Sequence, residues 1–245
     1  MFSQATAVRR DVSQLAREIR QTLASRGSKS IALSSQRFFK EAFEAHGWRT
    51  APLRKFAHEY RKSLIKSAGL NAVVELADEL FRGPISEEKN FAVFLLEQSP
   101  TRLGDSEFRL FDEWLDRVSN WSDHDGLTMY LLGPMMAALP ERARCVRKWV
   151  HSRNLWRRRA SAVSLIRGIR RGIFWPEAKE VAKELLADED IMVQKGLGWM
   201  LREAAKQDAT RTTPFLVSIR ERTTRLVLRT ACDMLKPASK KQVLG

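Results

Sequence analysis

Apolar residues recur along almost the whole chain at the spacing of amphipathic α-helices, and no alternating pattern of strands stands out. Glycine, proline and capping residues separate the periodic segments. The pattern predicts about a dozen helices of roughly 10 to 20 residues, joined by short turns. The predicted helices cover 9–26, 36–45, 50–66, 72–81, 86–98, 107–118, a segment 121–126 that leads into 127–139, 140–151, 154–171, 176–188, 191–206, 213–220 and 222–235.

Short connections between these helices favour antiparallel neighbours, and helix pairs recur about every 35 to 40 residues. The sequence therefore predicts an all-α fold, a HEAT/armadillo-like solenoid of antiparallel helix pairs with a concave, basic DNA-binding face. A compact all-α bundle is the alternative. No linker separates the chain, so we expect a single domain over 1–245, with an N-terminal helix within 1–28 and a flexible tail at 237–245.

Charge is unevenly distributed along the chain. The net charge is +14 and the sequence pI is about 10.3, which favours a polyanionic partner. Residues 75–125 carry thirteen Asp or Glu against five Lys or Arg, whereas 141–171 carry eleven Lys or Arg against one acid. This separation predicts an acidic pocket with a basic rim.

The basic segment 141–171 also contains regularly spaced apolar residues, which a flexible basic tail would lack. These are Trp149, Leu155, Trp156, Ala160, Val163 and Ile166. The segment therefore predicts a folded helical surface with a cationic outer face. The planar guanidinium of arginine donates paired hydrogen bonds to phosphate, so a nucleic-acid backbone is the expected partner. An ordinary solvated helix face is the alternative.

Several classes of protein lack support in the sequence. Cys145 and Cys232 stand alone, without a CxxC or Cys/His cluster, so we expect no metal site and a reducing cytoplasm. The first twenty residues lack the apolar core of a signal peptide, and no segment is apolar enough to span a membrane. No phosphate-binding glycine loop, HExxH or GxSxG motif occurs, and we expect no cofactor.

Three pairs of residues stand out because their spacing places both members on one helix face. These are Trp121 with Asp125, Trp199 with Arg202, and Trp156 with Arg159. We expect the tryptophans and arginines to converge on the Asp125 carboxylate. Core packing of each tryptophan and a first-turn role for Asp125 are the alternatives. His124 beside Asp125 is a further candidate metal or base pair, but adjacent helical residues are expected to diverge.

The segments VQKGLGWMLREAAK, NLWRRRAS, SNWSDHDGL and FFKEAFEAHGWRTAPLRK resemble the AlkD-type DNA alkylation repair family. The resemblance extends from about residue 30 to 236, and its most specific parts are the GWxLRE and LWxxRA motifs. Members of this family are HEAT-like repeat DNA glycosylases that release cationic N3- and N7-alkylated purines from duplex DNA. The resemblance implies that the base stays stacked rather than being flipped.

The resemblance also implies roles for individual residues. Asp125 matches the catalytic aspartate, Trp121 and Trp199 match tryptophans that contact the deoxyribose, and Arg159 matches an arginine on the catalytic side. The residues expected to contact DNA are Arg202, Trp156, Arg157, Arg158, Arg49, Arg54, Lys195 and Arg225.

Four positions depart from the family pattern or put the expected geometry in question. Ile191 and Met192 stand where a relative has two phenylalanines, and Arg49 replaces a polar amide. These changes concern contacts to the lesion strand. Gly126, directly after Asp125, is expected to break the helix there and to shift the carboxylate.

The sequence therefore favours a monofunctional alkylpurine DNA glycosylase that works as a monomer on alkylated double-stranded DNA, in the cytoplasm with the nucleoid. A cationic alkylpurine is already a good leaving group, so the enzyme mainly has to place a negative charge beside the developing oxocarbenium sugar. A non-catalytic HEAT-repeat protein that recognises damaged or branched DNA is the first alternative. A protein-scaffolding solenoid is the second.

Overall fold

A computed structural model describes residues 2–39 and 43–245 of the protein, with side chains described from Val12 onward. Helices make up the regular structure of these residues, and no strand occurs among them, which confirms the predicted all-α class. The chain folds as two compact units, Met1–Leu131 and Leu132–Gly245. The expectation of a single domain, and of a concave basic face, stays a prediction.

The first unit begins with a long N-terminal helix and ends just after the helix that contains Asp125. Its helices are α1 (Phe2–Arg26), α2 (Lys29–Gln36), α3 (Thr50–Phe81), α4 (Ser86–Leu96), α5 (Asp105–Trp114) and α6 (Trp121–Leu127). Short 3-10 turns occur at Pro100–Arg102 and Leu115–Arg117. A π-helical stretch, Thr128–Leu132, continues directly from α6.

The second unit consists of shorter helices, several of which are capped by side chains. They are α7 (Gly133–Ala138), α8 (Val146–Trp149), α9 (Leu155–Val163), α10 (Ile166–Ile169), α11 (Trp175–Leu185), α12 (Ile191–Gln207), α13 (Ala209–Ile219), α14 (Arg225–Cys232) and α15 (Pro237–Leu244). Two further 3-10 segments lie at Pro140–Cys145 and Arg220–Arg222. The basic region 140–151, predicted as one helix, is therefore a 3-10 segment followed by the single turn of α8.

The predicted helix over 36–45 is wrong for the residues that can be compared. Helix α2 ends at Gln36, and residues 43–49 are not helical, while 40–42 lie outside the described residues. The buried Glu87 carboxylate accounts for the local structure, because it accepts the backbone N–H groups of His46, Gly47 and Trp48 at 3.1, 2.9 and 3.2 Å. These donors are satisfied by a side chain instead of by helical carbonyls.

The sequence predicts two helices, 50–66 and 72–81, with Asn71 as the N-cap of the second; helix α3 covers both and has its break at Gly69. Gly69 has φ 82° and ψ −179°, a conformation outside the helical region that glycine adopts without a side-chain clash. Asn71 lies inside the continuing helix and does not cap it. The two halves of α3 bury a continuous apolar face that includes Leu53, Leu64, Leu76 and Leu80.

The predicted flexible tail forms helix α15. Val243 is 1% exposed, and Arg225 Nη1 donates to the Leu244 carbonyl at 2.8 Å. Arg220 Nη1 donates to the Gln242 carbonyl at 3.2 Å. These two arginines satisfy carbonyls at the C-terminal end of α15, where cations are favourable.

Several acidic residues of 75–125 form ion pairs and hydrogen bonds inside the first unit. Asp78 pairs with Arg117 at 2.6 Å and accepts the Trp114 indole N–H at 2.8 Å. Glu88 pairs with Arg20 at 3.1 Å, and Glu97 with Arg54 at 3.0 Å. These three acids act as internal ion-pair partners, and the acidic pocket stays a prediction.

Candidate functional site

Helix α6 begins at a well-formed N-cap and contains both Trp121 and Asp125. The Asn120 side-chain oxygen accepts the backbone N–H groups of Ser122 at 2.9 Å and Asp123 at 3.1 Å. Such a cap satisfies donors that would otherwise be unpaired in the first turn. The structure therefore places the predicted tryptophan–aspartate pair four residues apart on one helix.

A buried ion pair anchors α6 to α4. Asp123 accepts the Ser86 hydroxyl at 2.6 Å and pairs with Lys89 Nζ at 3.3 Å. Lys89 Nζ also donates to the Arg117 carbonyl at 2.5 Å and the Ser119 hydroxyl at 2.9 Å. The side chains of Lys89 and Asp123 are 2% and 0% exposed, so these contacts replace the water that both charges lose.

The anchor determines the direction of Asp125. Residues two apart on a helix point about 200° from each other, so the inward Asp123 leaves Asp125 on the opposite side of α6. The Asp125 side chain is 24% exposed, which agrees with this placement. Trp121, one turn earlier, is likewise only partly buried.

Gly126 does not break α6, which continues to Leu127, so the predicted break at this glycine is wrong. A Cβ atom at Gly126 would lie 2.9 Å from Asn90 Oδ1, which shows that glycine allows α6 to approach α4 closely. Asn90 in turn donates to the Ser122 hydroxyl at 3.2 Å. The glycine thus helps to fix the helix that carries Asp125.

His124 contacts Asp125, contrary to the expectation that adjacent helical side chains diverge. His124 Nδ1 lies 2.7 Å from Asp125 Oδ1, and the imidazole is fully buried. The rotamers of these two adjacent side chains bring the imidazole and the carboxylate together although their Cα–Cβ bonds diverge. No group of three or more His, Cys, Asp or Glu side chains in the described part of the chain is arranged to hold a metal ion.

One face of Trp121 is covered by an aromatic residue that the sequence did not single out. The Phe39 ring stacks on Trp121 with centroids 5.1 Å apart and an interplanar angle of 11°. Phe43 stacks on Phe39 in turn, with centroids 3.8 Å apart. Trp121 Nε1 also donates to the Phe38 carbonyl at 3.4 Å. The apolar pattern predicts only a helix over 36–45, and a helical pattern gives no indication that Phe39 stacks on Trp121.

In the second unit, Arg159 is buried between α9 and α12. It is 5% exposed, and its Nη1 donates to the Met192 carbonyl at 2.6 Å. A Cβ atom at Gly196 would lie 3.0 Å from Arg159 Cγ, so the glycine makes room for the arginine stem. Arg159 therefore stabilises the packing of these helices, and its role in catalysis stays a prediction.

The GWxLRE motif has a packing explanation for its glycine. A Cβ atom at Gly198 would lie 2.7 Å from Thr230 Cβ on α14, so only glycine fits there. Trp199 is half-buried, and among the described residues its buried Nε1 has no hydrogen-bond acceptor. Arg202 lies 3.7 Å from Glu203 and 3.6 Å from Asp233.

Glu203 is 3% exposed and lies among three cations. Burial alone would raise the pKa of this carboxyl, but the hydrogen bond from Arg170, at 2.8 Å, and the charges of Arg170, Lys206 and Arg202 outweigh it. The pKa of Glu203 is therefore lowered from its ordinary value. The motif glutamate is thus a charged structural group inside the second unit.

The remaining predicted DNA contacts differ in how accessible they are. Arg158 forms an ion pair with Asp188, with Nε 2.6 Å from Oδ2. Arg54 forms an ion pair with Glu97, and its guanidinium lies over the Phe94 ring. Arg225 contacts the end of α15, as described above. Arg157 and Trp156 are half-exposed, whereas Arg49 and Lys195 are exposed.

Comparison with known proteins identifies the family. A family model described as DNA alkylation repair enzyme matches residues 19–235, which is most of the chain. The protein therefore belongs to the DNA alkylation repair enzyme family. A comparison with functionally curated proteins finds no significant match. In the described part of the chain, no helix combines the length and apolarity needed to span a membrane.

Three solved structures share the fold. A predicted DNA alkylation repair enzyme from Enterococcus faecalis has a TM-score of 0.77 at 15% identity, covering 86% of this chain and 97% of that one. AlkD2 from Streptococcus mutans has a TM-score of 0.60 at 16% identity, covering 94% and 99%. The smu.31 protein of Streptococcus mutans UA159 has a TM-score of 0.58 at 18% identity, covering 76% and 98%. The AlkD-like fold is thereby confirmed.

Proposed function

We propose that the protein is a monofunctional DNA glycosylase that hydrolyses the N-glycosidic bond of cationic N3- and N7-alkylated purines in duplex DNA. The observation that supports this most directly is the partly exposed Asp125 carboxylate, on the same helix as Trp121 and opposite the buried anchor of α6. The helix therefore presents a fixed negative charge where a substrate can reach it.

The proposed reaction needs little from the protein beyond this charge. The C1′–N bond breaks and its electron pair leaves with the base, which departs as a neutral alkylpurine. The sugar becomes oxocarbenium-like, and Asp125 stabilises its positive charge. A water oxygen then bonds to C1′ and loses its proton to the carboxylate or to solvent. No general acid is required, because the alkylated base is already cationic.

Aromatic and basic residues supply the rest of the proposed binding. An indole face beside the deoxyribose favours the developing positive charge, a role that we assign to Trp121 and Trp199. Arg202 and the exposed Lys195 and Arg49 would contact phosphates. With about six phosphate contacts, affinity falls steeply as salt increases. We further propose that the base remains stacked, and that the protein acts as a monomer with the nucleoid in the cytoplasm.

The decisive experiment measures release of free 7-methylguanine from methylated duplex DNA by the wild type and by Asp125→Asn. We expect the variant to lose at least about 100-fold in single-turnover rate, since it keeps the shape but not the charge of the side chain. Duplex affinity should stay the same. The matched control is Glu113→Gln, which removes an exposed negative charge from the same unit. Wild-type release by Asp125→Asn would contradict the assignment.

One observation favours a second candidate function, a non-catalytic protein that recognises damaged or branched DNA. Phe39 already stacks on the Trp121 face that the glycosylase would offer to a deoxyribose. Replacing Phe39 with alanine distinguishes the two functions. A glycosylase should retain or gain base release, whereas the second candidate predicts no release by either form but specific binding by the wild type.

A further inference from the structure

The proposed reaction gives no role to His124, a buried polar side chain that contacts the Asp125 carboxylate. His124 directly precedes Asp125, is completely buried, and has Nδ1 2.7 Å from Asp125 Oδ1. A carboxylate oxygen can only accept, so the hydrogen in this contact belongs to Nδ1. The buried ring therefore donates to the accessible carboxylate.

The surrounding structure keeps this ring in place. The Asn120 cap and the Asp123–Lys89 pair fix the position and rotation of α6. The Thr128 hydroxyl donates to the His124 carbonyl at 2.8 Å, inside the same run of helix. Gly126, two residues further on, packs closely against Asn90. His124 is consequently a fixed donor on a fixed helix.

We propose that His124 is a positioning residue that orients the Asp125 carboxylate for catalysis. This inference rests on the proposed glycosylase function of Asp125. An aspartate on a helix surface has two rotatable side-chain bonds, and a hydrogen bond from an immobile ring restricts both. The carboxylate then faces the developing sugar cation without having to reorganise during the reaction.

The protonation state of the ring is part of the proposal. A neutral imidazole with its hydrogen on Nδ1 holds the carboxylate and leaves the pair with one full negative charge. An imidazolium would cancel that charge and remove the electrostatic stabilisation of the sugar. In serine proteases, an aspartate fixes the tautomer of a catalytic histidine. Here the roles are exchanged, because the histidine orients the carboxylate of the aspartate.

The first test compares His124→Leu with His124→Asn in single-turnover release of 7-methylguanine and in binding to duplex DNA. Leucine cannot donate, so we expect its rate to fall about 10- to 100-fold, the usual range for an orienting partner, with duplex affinity unchanged. Asparagine can place an amide N–H close to the position of Nδ1, and we expect it to restore most of the rate. Thermal melting of both variants monitors their folding.

Each outcome decides the inference. A wild-type rate for His124→Leu overturns it, and so does an asparagine variant that folds but is as slow as the leucine variant. If His124→Leu does not fold, the asparagine variant alone decides: a rate near that of the wild type supports the inference, and a rate reduced 10-fold or more overturns it.

The second test does not depend on activity. Nitrogen NMR of the imidazole at neutral pH should show the neutral Nδ1–H tautomer in the wild type and a shifted Nδ1 signal in Asp125→Asn. A ring protonated on Nε2 alone, or on both nitrogens, overturns the inference. If the wild type releases no base, the glycosylase proposal fails, and the tautomer then decides by itself whether His124 holds the carboxylate.

Discussion

In the first unit, a buried ion pair between Lys89 and Asp123 holds the helix that exposes Asp125. In the second unit, the buried Arg159 donates directly to a backbone carbonyl of α12. Both units thus use a buried charge to fix a helix that carries predicted site residues. They differ in what stays accessible, because the first unit keeps its predicted catalytic aspartate partly exposed, whereas the second buries Arg159, its predicted catalytic arginine.

This difference shows why counting charges overestimates a binding surface. The segment 141–171 has eleven Lys or Arg, but Arg159 is buried and Arg158 is held by Asp188. Arg144, Lys148 and Arg153 remain exposed. An arginine can serve as a structural donor or as a phosphate contact, and the sequence pattern is the same in both cases.

The largest effect is expected from Asp123→Asn, which leaves the Lys89 ammonium buried without an anionic partner. We expect a loss of about 3–5 kcal/mol in the free energy of unfolding. Urea denaturation of the variant measures this loss, with Glu113→Gln as a control that should stay within about 0.5 kcal/mol of the wild type. A loss below about 1 kcal/mol would show that α6 does not depend on the pair.

Arg159→Ala tests the corresponding contact in the second unit. Removing the charged donor from the Met192 carbonyl should lower the free energy of unfolding by about 1.5–3 kcal/mol. The matched control is Arg153→Ala, which truncates an exposed arginine of the same segment. If both variants are equally stable but Arg159→Ala alone loses base release, the residue has a catalytic role and the structural interpretation is wrong.

Glu203→Gln is expected to have a smaller, pH-dependent effect. The pKa of Glu203 is lowered in the folded protein, so its charge stabilises the fold above the pKa of the unfolded state, and this contribution is lost as pH falls through the folded pKa. The variant should therefore lose about 1–2 kcal/mol at pH 7. The difference from the wild type should shrink as pH falls below about 4. If the difference in unfolding free energy between the variant and the wild type does not change with pH, the charge of Glu203 is not its cause.

The smallest effect is expected on DNA binding. Lys195→Ala removes an exposed cation, so the slope of log affinity against log salt should become shallower by about 0.9 if Lys195 contacts one phosphate. Arg158→Ala should leave the slope unchanged, because Asp188 already holds that guanidinium. Fluorescence anisotropy with a labelled duplex measures both slopes. If only Arg158→Ala makes the slope shallower, then Arg158 and not Lys195 contacts the phosphate.

Sequence periodicity identified most helices because burying one face of a helix requires apolar residues every three or four positions. It failed over 36–45, where the comparable residues are not helical and Glu87, distant in sequence, satisfies the backbone donors of 46–48. It also failed at the C-terminus, where Arg220 and Arg225 satisfy carbonyls of α15. In both places the deciding partner lies far along the chain, beyond the reach of a local pattern.

The sequence alone predicts the all-α class and the presence of Trp121 and Asp125 on one helix, because period and spacing are local properties, and its motifs carry the resemblance to the family. Only the tertiary structure decided which charges are buried. It paired Lys89 with Asp123, placed His124 against Asp125 and enclosed Arg159. The physical reason is that the loss of water around a charge depends on the neighbours that folding brings together. For Asp123 and Arg159 these neighbours, Lys89 and Met192, lie 34 and 33 residues away along the chain.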